Sequence, residues 1–543
     1  HAVTAVQSLA PATDCDDAAG AAAPDNPRRE HVDRELVLAR TALWMGRARE
    51  AADRVAPLLT PAAGFEDAQI EGRTFLVHGS AQRALGHTAA AKVSLRRAIL
   101  AGSAASDPQL EAQAWLGLLD QIARMTEPGE DGWATGVAAE AAIRRAGDDP
   151  RARADLRAEL GHLQLADGHP ADALEHYEAA LHLRQRTLPE DHLAIAESLV
   201  STGAALDAGE RSRDAEQRHA TALAMRERSL GSSHPLVARA LLELGAAQYG
   251  DGDLGGAQAS FARARLLLDP AGIADAEGTA LPGARIEPWP PGARPEHGVA
   301  LAAVLDRLGI VARSRQRFEE AAKLHGRAAA LLESLLGPND RRLGYPLENL
   351  GVALLDLGRP ELALPHLRRA LAIWDAALGE EHPELAHAHL HLADALVAGR
   401  ELGEAGAHYQ RALDQWEEQL ATPEHPLLAY ALTGLGRVRL AVGDATAAVE
   451  PLERAFEIRK HEREDPINVA ETSFLLARAL AATGGDQARV LELLRSALDR
   501  IDVELPTEAL ELRRMLEGGD VPGVTDRLVP SGLSLFDRTT AIP

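Results

Sequence analysis

A small residue recurs along this chain at Ala39, Gly79, Gly117, Gly161, Gly203, Gly245, Gly309, Gly351, Ala393, Gly436 and Ala477. Successive intervals are 40, 38, 44, 42, 42, 64, 42, 42, 43 and 41 residues, so all but one cluster near 42. A fixed period of this size is the signature of a repeat array. Each unit of such an array packs only on its neighbours, so the 543 residues need no partition into several separate cores.

Aligning "LVSTGAALDAGERSRDAEQRHATAL", "LLELGAAQYGDGDLGGAQASFARAR" and "LENLGVALLDLGRPELALPHLRRAL" shows what one unit holds. The small residue is followed by a turn signal after seven positions, an alanine after twelve, and a second alanine seven beyond that. Leu241, Leu244 and Gly245, like Leu305, Leu308 and Gly309, mark one apolar stripe of a first helix, with the small residue admitting a close partner. Gly168, Gly252, Gly358 and Gly443 fall where a helix C-terminus favours glycine. A second helix follows, with Ala173, Tyr177 and Ala180 matched by Ala257, Phe261 and Ala264 and by Ala405, Tyr409 and Ala412. His-Pro at His234-Pro235, His382-Pro383 and His425-Pro426 then starts the next pair, proline suiting a first helical position.

Aromatic residues are only 3% of the chain, and strand-like runs of β-branched and aromatic residues are absent. The predicted fold class is therefore all-α. These repeats resemble the tetratricopeptide repeat (TPR), and the "LGxxHPxxAxxLxxLG" joint with its near-42 spacing is similar to the kinesin-light-chain variety. The resemblance implies a right-handed superhelical solenoid of antiparallel helix pairs, about eleven hairpins long. "SLAPATDC" near the N-terminus, the irregular hairpins, "AQAWLGLLDQIARM" and the regular repeats together are similar to the C-terminal regions of myxobacterial-type bacterial serine/threonine protein kinases. That likeness implies a kinase domain upstream in a longer parent chain, and the opening "HAVTAVQSLA" without an initiator Met reads as part of something longer.

The expected organisation is a linker with a possible helix remnant over 1–34, degenerate hairpins over 35–145, and regular hairpins over 146–268 and 299–517. A Pro/Gly-rich insertion over 269–298 accounts for the long interval; it either lets two arms hinge or folds back with Trp289 as an anchor. A tail over 518–543 carries no repeat pattern.

The net charge of −24 and pI of about 5.3 oppose general affinity for nucleic acid or anionic membrane. Cys15 is the only cysteine, which excludes disulfide frameworks and cysteine-based metal sites within the chain. No apolar run is long enough for a membrane span, and a cytoplasmic location is expected. The three lysines, Lys92, Lys323 and Lys460, lie in no Gly-rich loop, and no HRD, DFG, GxSxG or HExxH motif occurs. The chain therefore reads as a non-enzyme, with no catalytic residue, no metal and no cofactor.

What remains is a surface. In the tetratricopeptide family the groove-facing positions lie six and two before the small residue, and one and four after it. Carried over, these offsets select Arg239, Glu243 and Tyr249; Arg307 and Arg313; Tyr345 and Asn349; His387, His391 and Asp394; and Tyr430 and Arg437. Of the five tyrosines, Tyr177 and Tyr409 take core slots and the other three take these offsets, where a rigid ring with one polar tip suits binding. The arginines suit a carboxylate or phosphate. The competing reading is that these side chains only pack against adjacent first helices. Family members that hold a peptide backbone commonly do so with asparagines, and only Asn349 occupies such an offset, so side-chain recognition is expected instead.

"EEHPELAHAHLHLADAL" divides its four histidines among three roles. His382 shares the joint with His192, His234, His297 and His425 and is expected at a helix start. His389 takes a slot otherwise held by Leu199, Leu241, Leu305, Leu347 and Leu432, and is expected to be partly buried and hydrogen-bonded. His387 and His391, one helical turn apart, are too few for a zinc site and are expected to line the groove. The expected function is a protein-interaction scaffold holding a protein or peptide partner in the concave groove, recruiting a partner or substrate for the upstream kinase. The alternative is a regulatory sensor that binds a small ligand or the parent catalytic domain.

Overall fold

The structure is a computed structural model and describes residues 27–59, 67–124, 129–269, 295–379, 382, 384–420, 422–460 and 466–501. The chain divides into two compact units, residues 1–267 and 268–542. Among the described residues of the first unit there are six helix pairs: Pro27–Trp44 with Ala48–Val55, Ala68–Ala84 with Thr88–Ala104, Pro108–Ala123 with Gly129–Arg145, Pro150–Ala166 with Pro170–Thr187, Leu193–Ala208 with Ser212–Leu230, and Pro235–Gly250 with Leu254–Leu268. The second has five: Pro295–Ser314 with Phe318–Leu336, Gly344–Asp356 with Pro360–Leu378, Glu384–Ala398 with Leu402–Gln419, Pro426–Ala441 with Ala445–Arg459, and Pro466–Ala482 with Gln487–Ile501. No strand occurs among the described residues, and the all-α reading with its helical hairpins is borne out.

The small residue does what the sequence suggested. A Cβ placed on Gly245 would meet the Phe261 ring at 2.5 Å, and one on Gly351 would meet Leu367 at 2.5 Å. In both cases the side chain sixteen positions on, in the second helix, lies directly against the glycine. His219 and His325 fill the same slot beneath Gly203 and Gly309. Where alanine takes the first position, Ala39 shares its core with the shorter Val55, and Ala477 shares its core with Leu493. Ala393 is the exception, because its counterpart is the bulky Tyr409; that ring lies against Gly434 of the next pair. Ala173, Tyr177, Ala180, Ala257, Phe261, Ala264, Ala405, Tyr409 and Ala412 are all buried, as their period implied.

The turn between the two helices needs one residue with positive φ. Gly168, Gly252, Gly358 and Gly443 supply it, with φ between 66° and 86°. In three other hairpins the same slot holds Glu210, Gln316 or Arg400, at φ of 58°, 57° and 64°. Near two of these glycine stands one position early, at Gly209 and Gly399.

The joints also behave as read. His192, His234 and His425 sit at helix N-caps, and each Nδ1 accepts the backbone N–H two residues on, at 3.1, 3.2 and 3.3 Å. His382 precedes Glu384–Ala398 and its carbonyl accepts the Leu385 N–H at 3.0 Å. His297 departs from the pattern: the helix already begins at Pro295, so this histidine lies inside the first turn. The first helix likewise begins at Pro27, earlier than a linker over 1–34 implied. The second helix of that pair ends at Val55, since Pro57 cannot continue it, and a short 3-10 turn, Ala56–Leu59, follows. The Trp289 anchor and the 518–543 tail lie outside the described residues.

Candidate interaction surface on the first helices

The offsets chosen from the sequence separate into three environments. In three hairpins of the second unit, the side chain six positions before the small residue turns onto the end of its own second helix. Tyr345 meets Trp374 edge-on with ring centroids 5.0 Å apart, and His387 meets Trp416 the same way at 5.1 Å. Tyr430 lies beneath the Arg459 guanidinium at 4.8 Å. Each contact spans 29 residues of sequence, so it is one repeated device with three chemistries. Tyr345 keeps 39% of its surface exposed, whereas His387 and Tyr430 are half-buried.

At the other offsets, most side chains are taken up by the neighbouring first helix. The Asn349 amide donates to both oxygens of Asp306 at 3.3 Å. Arg313 donates to Asp356 at 2.6 Å, and His391 donates to Glu348 at 2.9 Å. Arg437 lies 3.8 Å from Asp394 and donates to Glu471 at 2.5 Å. The first four of these pairs, Asp306–Asn349, Arg313–Asp356, Glu348–His391 and Asp394–Arg437, are all separated by 43 residues: one repeat and one position in the first three, and one 43-residue repeat in the last. They tie together the first helices of four successive hairpins in the second unit, which also touch one another directly.

Burial sets the electrostatics of this ladder. Asp356 and Asp394 are almost enclosed, and loss of water pushes their carboxyl pKa values up despite Arg313 and Arg437 beside them. Burial works against the charge of Arg437, but Glu471, Tyr409 and Asp394 outweigh it and hold its pKa above the usual value. Tyr409 donates its hydroxyl to Asp394 at 2.5 Å, and burial pushes the phenol pKa well up. His391 is raised in net, because Glu348 outweighs its burial. His387 has no such carboxylate contact, and burial pushes it down to about 4.

Arg313 and Arg437 were expected to be available to a ligand anion. The structure commits both to internal carboxylates, and Arg437 is only 5% exposed. A buried ion pair of this kind suits fixing the register of neighbours, since losing either partner strands a charge away from water. His387 and His391 sit on one helix face but turn to different partners, Trp416 and Glu348. Among the described residues no group of three or more histidines, cysteines or carboxylates is placed to hold a metal. His389 is buried, as its slot implied, and its Nδ1 faces the Nδ1 of His408 at 2.8 Å.

Arg307 is half-buried and makes no ion pair among the described residues. Tyr345 is the most exposed aromatic side chain on this face. In the first unit Arg239 is exposed, 3.9 Å from Glu243 on its own helix, and Tyr249 is half-buried in the last turn of Pro235–Gly250. The partners Asp306, Glu348, Asp356 and Glu471, and the second-helix residues Trp374, Trp416 and Arg459, were not singled out from the sequence. The signal was present: Arg313–Asp356, Glu348–His391 and Asp394–Arg437 are ionisable pairs at a common separation of 43 residues, which aligning the repeats brings together.

Residues 300–373, 345–401 and 389–461 match the family model for the tetratricopeptide repeat. Comparison with curated proteins returns no match. Among solved structures, the chain is similar to a putative kinesin light chain from Podosopora anserina with nearly identical TPR-like repeats, at 24% identity over 39% of this chain and 100% of that one, with a TM-score of 0.33. It is similar to BtubC (BKLC) from P. vanneervenii at 21% identity, over 50% of this chain and 95% of that one, with a TM-score of 0.34. The apo form of RapI matches at 12% identity over 76% of this chain and 99% of that one, with a TM-score of 0.48. No helix among the described residues is long and apolar enough to cross a membrane.

Proposed function

We propose that this chain is a protein-interaction scaffold, and that its second unit receives a protein or peptide partner along the first helices. The tetratricopeptide repeats matched over 300–461 generally serve protein binding. The observation that carries the reading here is the division of labour on one face. Arg313, Asn349, His391 and Arg437 are used to lock hairpin to hairpin, while on the same first helices Tyr345 keeps 39% of its surface exposed and Arg307 is half-buried with no ion pair among the described residues. A rigid backbone of stacked helices with a half-exposed tyrosine and a guanidinium that makes no ion pair among the described residues suits a partner segment that offers an apolar contact beside a carboxylate or phosphate. Arg239 and Tyr249 offer similar chemistry on the first unit. The likeness of the N-terminal stretches to kinase C-terminal regions supports placing the scaffold beside a serine/threonine kinase in a longer chain, where it recruits partners or substrates.

The test is a peptide array probed with the full chain, its Tyr345→Phe variant and its Tyr345→Ala/Arg307→Ala variant. The proposal expects spots that survive Tyr345→Phe and are lost in the double variant while its helical signal stays that of the wild type. Spots that bind the double variant equally well overturn the assignment.

A further inference from the structure

Glu384–Ala398 and Leu402–Gln419 form the one hairpin in which a histidine replaces the leucine of the first-helix stripe. His389 is buried, 6% exposed, and stacks on His408, which is 9% exposed, with centroids 5.0 Å apart and planes 29° from parallel. Their Nδ1 atoms face each other at 2.8 Å. That distance is a hydrogen bond, so one Nδ1 carries the proton and the other accepts it.

We propose that this contact is an acid-operated release between the two helices of the hairpin. With both rings neutral the pair is complete. One added proton is accommodated on the His408 Nε2, which lies 3.8 Å from Glu404, while the His408 Nδ1–H keeps donating to His389. A second proton has only the accepting Nδ1 to bind. It sets two N–H groups head to head inside a stack of two cations, and the contact has to open.

The surroundings add to the repulsion rather than screening it. On Leu402–Gln419, Arg411 acts on both rings, and Glu404 is the single carboxylate beside them. On the preceding second helix, Pro360–Leu378, Arg368 faces His408 and also engages Glu404, which divides that carboxylate between two cations. On the preceding first helix Glu348 is taken by His391, and on the following first helix Arg437 is directed at Asp394 and Glu471. Burial and these cations hold His389 down to about 4 and His408 below its ordinary value. His391, by contrast, is strengthened by protonation, since its partner is a carboxylate. Acid therefore parts the hairpin internally while keeping its first helix tied to the hairpin before it, and the parted second helix changes the surface that follows.

The experiment is amide hydrogen exchange of the full chain at about pH 7.5 and about pH 4.5, corrected for intrinsic exchange, beside His389→Leu. Leucine occupies this slot in five other hairpins, so the variant keeps the repeat's own packing. In the wild type, exchange over 384–398 and 402–419 is expected to accelerate about tenfold or more at the lower pH relative to the flanking hairpins. In His389→Leu the acceleration there is expected to match that of those hairpins. Equal local acceleration in wild type and variant overturns the proposal, and so does acid exchange that is uniform across the second unit.

Discussion

At the scale of single residues, the structure separates glycines that are required from glycines that are merely present. Gly351 has Leu367 where its Cβ would be, whereas Gly326, in the middle of Phe318–Leu336, has only Leu350 near it, at an ordinary 3.9 Å. Gly351→Ala is expected to cost about 1–3 kcal/mol by overpacking. Gly326→Ala is expected to stabilise by about 0.5–1 kcal/mol through lower backbone entropy in the unfolded chain. Urea midpoints of the two variants should move in opposite directions. The turn offers a third case. Gln316 holds a left-handed conformation at φ 57° that glycine adopts freely, so Gln316→Gly is expected to stabilise by about 1 kcal/mol in the same measurement. Histidine titration is also local. His387 is held down to about 4 by burial, so its contribution is complete above about pH 6.5, the unfolded value, and is lost as pH falls from there toward 4. His391 is shifted the other way, so its contribution is present below about pH 6.5 and is lost as pH rises through its folded value. His387→Leu is therefore expected to remove part of the acid slope of the urea midpoint, whereas His391→Leu leaves that slope in place and lowers stability most in acid.

At the scale of elements, the ladder between first helices explains why neighbouring hairpins keep one register. Arg437 and Asp394 are both nearly enclosed, with Glu471 and Tyr409 completing the cluster. Arg437→Ala leaves Asp394 and Glu471 without their cation and is expected to cost about 3–5 kcal/mol, the range for breaking one side of a buried pair. A double-mutant cycle with Asp394→Ala is expected to show a coupling of at least about 0.5 kcal/mol; additive effects would mean that the two side chains do not act together. Much of this level was legible in the sequence. The period located each hairpin, the alanines located the buried face of each second helix, and the His-Pro joints marked helix starts. The partners of the polar positions were harder to see, because Asp306 or Glu348 looks like any surface carboxylate until it is aligned with a residue 43 positions on. His297 misled for a local reason: Pro295, two residues earlier, had already begun the helix.

At the scale of the molecule, each unit is a row of hairpins whose interior is built from small residues and single large side chains, repeated with changes of chemistry. The family offsets select side chains on the first helices, but they do not distinguish those that join helices from those left for a partner. That distinction depends on burial and on which carboxylate stands opposite. Arg313 and Arg437 have such a partner, and Arg307 has none among the described residues. The central claim is that the first helices of the second unit are the receiving surface. Hydrogen exchange of the full chain, with and without the tightest peptide from the array, tests it most directly. New protection is expected on Pro295–Ser314 and Gly344–Asp356, around Arg307 and Tyr345, with the second helices unchanged. Protection that instead falls on Phe318–Leu336 and Pro360–Leu378 would contradict it.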